Sequence, residues 1–74
     1  MDYRAFVGRD VFVTFKNPDD DWTSWTLLAT ATINGERWFW LQGRSNGSGK
    51  YIGGPESVRE DEILGDIWLD GRDK

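Results

Sequence analysis

The chain has 74 residues, 13 acidic and 9 basic side chains, five tryptophans, and neither cysteine nor histidine. That composition excludes a disulfide scaffold, a Cys/His zinc module, and catalysis built on histidine or a thiolate. The length supports one small acidic domain over residues 1–70, followed by a polar tail at 71–74. No apolar stretch is long enough to span a bilayer and no signal peptide opens the chain, so a cytoplasmic protein with no membrane partner is expected.

A domain this small buries only roughly 60% of its unfolded surface. Aromatic side chains make up 15% of the residues, and each buries about 150–250 Å². Most of the tryptophans are therefore expected in the core.

The first regular element is Val11–Lys16. Val11, Val13 and Phe15 alternate with Phe12, Thr14 and Lys16, the period of a strand. Gly8-Arg9-Asp10 before it predicts a turn. Asn17-Pro18-Asp19-Asp20-Asp21 ends it, because proline cannot donate to a ladder and Asx residues favour turns.

Thr26–Ile33 and Glu36–Gln42 flank Asn34-Gly35, the strongest short-range hairpin signal, and imply a type I′ turn. A two-residue loop pairs Ile33 with Glu36, Thr32 with Arg37, Ala31 with Trp38, Thr30 with Phe39, Ala29 with Trp40, and Leu28 with Leu41. Large indoles opposite alanines fill space without overpacking. Trp38 and Trp40 are therefore expected inside, and Leu28, Thr30, Thr32, Arg37, Phe39 and Leu41 on the other face.

Gly43–Gly49 reads as a loop or a long turn, and Lys50-Tyr51-Ile52 as a short strand cut by Gly53-Gly54-Pro55. Residues 56–69 admit two readings. One is a strand at Glu56–Arg59, a single helical turn at Glu60–Leu64 and a closing strand at Gly65–Leu69. The other is one helix, with Ser57 and Glu60 as a capping box and Ile63, Leu64, Ile67 and Trp68 at helical spacing. Gly65 and the β-type run Asp66–Leu69 favour the first.

The fold class expected is all-β, a single five-stranded antiparallel barrel with a short C-terminal helical turn. Asp10–Lys16, the hairpin at 26–42 and the Val58, Ile63, Ile67 spacing within Ser57–Leu69 resemble SH3-like small barrels of the Tudor or KOW kind. The Ala-Leu-Tyr-x-Tyr run of peptide-binding SH3 domains is absent from Tyr3-Arg4-Ala5-Phe6. The resemblance does not extend to recognition of proline-rich peptides.

Residues 1–55 are charge-balanced, and residues 56–74 carry the whole net charge of −4. No uniformly basic nucleic-acid footprint is present. The segment Asp19-Asp20-Asp21-Trp22-Thr23-Ser24-Trp25 is the candidate site: two indoles beside three carboxylates suit a cationic or apolar group. In Tudor-like barrels the first-loop aromatics and one from a following hairpin form a cage. The resemblance thus groups Trp22 and Trp25 with Tyr51. Either indole is also suited to plug the open end of a barrel, Trp25 more deeply than Trp22.

Consecutive aspartates without a glycine at the sixth position do not match a calcium loop, so no metal or other cofactor is expected. Glu60, Asp61, Glu62 and Asp66 offer paired carboxylates, but a barrel this small leaves no room for a sugar cleft. Gly43–Lys50 lacks the spacing of a phosphate loop.

The expected function is that of a non-enzymatic protein–protein binding module: an adaptor, inhibitor or assembly subunit. A phage or mobile-element origin fits its size and charge. One alternative is an acidic inhibitor mimicking nucleic acid through residues 56–73. Another, given Lys16, Arg37, Arg44 and Lys50 with Phe39 and Tyr51 as stacking platforms, is a nucleic-acid-binding barrel. Against the overall acidity, nucleic acid is the less favoured partner. Homodimerisation through an edge strand is open to a domain of this size.

Overall fold

The computed structural model describes residues 2–44 and 53–70. Five strands form one antiparallel sheet: β1 (Asp10–Phe12), β2 (Ser24–Ile33), β3 (Glu36–Gly43), β4 (Glu56–Arg59) and β5 (Trp68–Leu69). Their spatial order is β4-β3-β2-β1-β5. The two helical pieces among the described residues are 3-10 turns at Tyr3–Phe6 and Glu60–Glu62. The all-β reading holds, and the C-terminal segment is strand, turn and strand rather than one helix. Ser57 lies within β4, so it caps nothing; the Glu62 carboxylate instead accepts the Arg59 N–H at 2.7 Å.

Local chemistry explains the turns. Asn34 at φ 52° and Gly35 at φ 80° supply the two positive angles that a type I′ hairpin demands. Asn17 Oδ1 accepts the Asp19 N–H and the Asn17 carbonyl accepts the Asp20 N–H, both at 3.0 Å, so the chain reverses there. The expected strand 11–16 is shorter than its alternation implied. After Phe12 the chain changes partner: Phe15 bridges Ile63, and the Leu64 N–H donates to the Thr14 carbonyl at 2.7 Å.

The hairpin register matches the computed one from Ile33–Glu36 to Ala29–Trp40, then departs. Leu41 pairs with Leu27 rather than Leu28, because a β-bulge falls between Leu27 and Ala29. An extra residue in one strand switches the face of everything beyond it. Leu27 therefore points into the core with Trp25, although Ala29 and Ala31 point away from it. Leu28 is left outside, 43% exposed.

One apolar cluster holds Tyr3, Val11, Val13, Trp25, Leu27, Phe39, Leu41, Val58, Ile63 and Ile67. Trp38 and Trp40 are not in it. Both are only half-buried, and Phe39 and Leu41 take the interior instead. The β3–β4 register explains the reversal. Phe39 lies opposite Val58, the one apolar side chain of β4, whereas Trp38 and Trp40 lie opposite Arg59 and Ser57. Burying the tryptophan face would bury Arg59 and expose Val58.

The expectation that most tryptophans are core fails for the same reason. Trp25 is buried, Trp22, Trp38 and Trp40 are half-buried, and Trp68 is 64% exposed. Tyr3 closes one side of the core, edge-on to Phe39 at 5.6 Å.

Candidate binding site

The first loop and the second 3-10 turn meet across a cavity of about 420 Å³. Asp19, Asp20, Asp21 and Trp22 line one side. Glu56, Ser57 and Val58 from β4 and Glu62 from the turn line the other. Phe15 and Trp25 complete the lining. Five carboxylate residues thus surround an aromatic surface, and the lining contains no basic residue.

The sequence-predicted group is largely assembled here. Asp19, Asp20, Asp21, Trp22 and Trp25 are brought together; Tyr51 lies outside the described residues. Trp25 is not an exposed stacking platform. It is 3% exposed, its indole N–H donates to the Trp22 carbonyl at 3.0 Å, and its ring meets Phe15 edge-on at 5.7 Å. Trp22 is half-buried, as expected less deeply than Trp25. Its indole N–H donates to the Ser24 carbonyl at 2.9 Å and the Arg44 carbonyl at 3.0 Å. The indole orientation is thereby fixed, so the ring is held ready rather than ordered on contact.

Phe15, Glu56 and Glu62 are the residues that sequence reasoning missed. The sequence places Phe15 only on one face of a strand with Val11 and Val13, and the two glutamates within the acidic stretch 56–73. Their placement depends on the Phe15–Ile63 bridge, which joins the two halves of the chain.

Ion pairing separates the acids into two groups. Glu60 pairs with Arg37 at 3.4 Å and Asp61 with Arg59 at 3.4 Å. Asp66 Oδ1 accepts the Tyr3 hydroxyl at 3.3 Å. Asp70 belongs to no acidic surface: it is 3% exposed, and its Oδ2 lies 2.6 Å from an Arg44 guanidinium nitrogen. The run proposed as a phosphate-backbone mimic is therefore broken by internal partners. By contrast, Asp19, Asp20 and Asp21 make no ion pair among the described residues.

Two of the basic candidates, Arg44 and Arg37, are similarly engaged, whereas Lys16 is exposed. Arg44 also donates from Nε to the Trp25 carbonyl at 3.0 Å, with Asp10 at 3.6 Å. The Arg37 guanidinium lies 5.5 Å from the centre of the Tyr3 ring. Neither presents an unengaged cation to a nucleic-acid strand, and Lys50 lies outside the described residues. Among the described residues, no group of three potential ligands could hold a metal ion, and no helix is long and apolar enough to cross a membrane.

Among the described residues three titrations are displaced from their ordinary values: Asp2, Tyr3 and Arg4, the last raised by its side-chain hydrogen bond to Asp2. The hydrogen bond from the Arg4 side chain, backed by the Arg4 N–H, lowers Asp2 to about 2. Burial pushes the Tyr3 hydroxyl up, opposed by the Ile67 N–H that donates to it and reinforced by the charge of Asp66. All three lie away from the cavity lining, so none marks it as a reaction centre.

Comparison with protein-family models, with curated proteins and with solved structures finds no match to this chain. What the cavity does must be argued from its chemistry.

Proposed function

We propose that this chain is a non-enzymatic binding module, built on an SH3-like small barrel, that takes a basic side chain of a partner protein into the acidic aromatic cavity. One observation carries the reading. Asp19, Asp20 and Asp21 make no ion pair among the described residues, whose other acids largely have partners. Like charges held together cost stability. A chain that retains three of them beside an oriented indole gains if an external cation neutralises them.

Support for the barrel comes from the strand order and from the 3-10 turn leading toward the last strand. Support for binding rather than catalysis comes from the site itself, whose lining is mostly carboxylates and aromatic rings, with neither histidine nor cysteine in the chain. A cation over an indole gains about 0.5–2 kcal/mol, and adjacent carboxylates add to that. An interface centred on such a contact loses about 2 kcal/mol on truncation, some 30-fold in affinity.

The test is a capture experiment that compares wild type with the triple variant Asp19→Asn, Asp20→Asn, Asp21→Asn. These side chains are exposed, so the variant should fold as the wild type does by circular dichroism. A partner held by wild type and lost by the folded variant supports the site. Equal retention by both refutes it. Trp22→Ala is a less clean probe, because its indole N–H also bonds two backbone carbonyls.

A further inference from the structure

The indole of Trp22 lines the acidic cavity, but the groups that orient it lie outside the lining. Its N–H is shared between the Ser24 carbonyl at 2.9 Å and the Arg44 carbonyl at 3.0 Å. Ser24 opens β2, and Arg44 lies one residue beyond β3. The Arg44 N–H donates to the same Ser24 carbonyl at 3.1 Å. The Arg44 side chain turns back to β2, where its Nε donates to the Trp25 carbonyl at 3.0 Å. The Trp25 indole N–H in turn donates to the Trp22 carbonyl at 3.0 Å. Trp22, Ser24, Arg44 and Trp25 thus close a ring of hydrogen bonds through both tryptophans that line the cavity.

The ring is anchored through Arg44. Its terminal nitrogen donates to Asp70 Oδ2 at 2.6 Å, and its Nε lies 3.6 Å from Asp10 Oδ1. Asp70 is itself tied to β1, since its N–H donates to the Asp10 carbonyl at 2.9 Å. A guanidinium carries several donors in a rigid fork, so one side chain holds β1, β2 and the end of β5 at once. Neither Arg44 nor Asp70 lines the cavity.

We propose that Arg44 and Asp70 are positioning residues for the cavity: the pair fixes the Arg44 carbonyl and, through it, the orientation of the Trp22 ring. This rests on the reading of the cavity as a site for a basic side chain. The physical reason is preorganisation. The β2–β3 ladder stops at the pair Trp25 and Gly43. One further N–H bond to Ser24 leaves the Arg44 peptide free to turn about it. The anchored guanidinium removes that freedom, and a ring already oriented loses less on binding. The end of β5 is thereby coupled to a site that it does not touch.

Positioning and simple charge predict opposite results. By long-range charge, losing Arg44 should strengthen a basic ligand and losing Asp70 should weaken it. By positioning, losing either side of the pair weakens it.

The experiment titrates a tri-arginine peptide into the full chain and follows the indole N–H signals by NMR. Wild type is compared with Arg44→Met and with the double variant Arg44→Met, Asp70→Ala. The double variant keeps the net charge of −4 and leaves neither charge buried alone, so it keeps the test open where the single variant does not fold. In both variants the Trp22 signal should move toward that of an indole bonded to water, while the Trp38 signal stays in place. Affinity for the peptide should fall about fivefold or more in each. An unmoved Trp22 signal in the folded double variant overturns the proposal, because the Ser24 bond then suffices to hold the Arg44 carbonyl. So does tighter binding by Arg44→Met, the mark of charge alone, or unchanged affinity in the double variant. A wild type that does not bind the peptide refutes the reading of the cavity instead, and the Trp22 signal then decides by itself whether the pair orients the ring.

Discussion

Asp70 sits at the end of β5, and removing its carboxylate tests how the short closing strand is held. Asp70 Oδ2 is 2.6 Å from Arg44, the acid is 3% exposed, and the Arg44 side chain is 19% exposed. Breaking a buried ion pair from one side costs about 3–5 kcal/mol, because the remaining charge loses its partner in a poorly solvated place. Arg44 keeps the Trp25 carbonyl and a long contact to Asp10, which puts Asp70→Ala at the lower end, about 3 kcal/mol. A chain of this length has about 4–11 kcal/mol in total, so the variant remains folded only if the wild type is well above the minimum. With a slope of about 1 kcal/mol per molar urea, the midpoint falls by about 3 M. The melting temperature falls by about 12–24 °C. Urea melts of wild type, Asp70→Ala, Arg44→Met and the double variant measure the pair directly. The coupling energy should exceed about 1.5 kcal/mol and change little in 1 M salt, because a buried pair is weakly screened. A cost under 1 kcal/mol for Asp70→Ala, or additive single variants, would refute the reasoning and make the pair a surface contact.

The bulge gives a sharp contrast between neighbours. Leu27→Ala should cost about 2–5 kcal/mol as a core truncation, and Leu28→Ala should stay within about 0.5 kcal/mol, both read by urea melts; equal costs would disprove the register shift. The Tyr3 hydroxyl, raised by burial, gives a stability contribution that is full below the ordinary value of 10.0 and is lost as pH rises through the raised folded value. Stability should fall as pH rises from 10.0 toward that raised value, and this fall should be absent in Tyr3→Phe. Asp2, held near 2 by Arg4, should return toward its ordinary 3.8 in Arg4→Ala when followed by NMR; since folding depresses it, its small contribution is lost only as pH falls between those two values.

The candidate site was half legible. The run Asp19–Trp22 and its neighbour Trp25 are consecutive enough that any turn places them together, and the cavity contains all five. Its far wall was not legible. Glu56 and Glu62 reach it through a bridge between residues 48 apart, Phe15 and Ile63, and no local pattern encodes that pairing. The same holds for Arg44 and Asp70, which the sequence offered as a nucleic-acid contact and an acidic surface. Each is instead the other's partner.

The hairpin was determined by the sequence itself, because turn chemistry acts between adjacent residues, whereas residues 56–69 admitted both strand-turn-strand and one helix until the β3–β4 pairing decided for the strand. Asn34-Gly35 needs no distant help to reverse the chain. The identity of the buried face of β3 was decided only in the tertiary structure. Both faces of Trp38–Leu41 are apolar, so hydrophobicity alone cannot choose between them. Val58 chooses, by lying opposite Phe39, and the pairing of β3 with β4 is set across a long connection whose length fixes no register. A period-two pattern fixes which residues share a face. Only the neighbouring strand, and the one bulged leucine on the other side, fix which face meets the core.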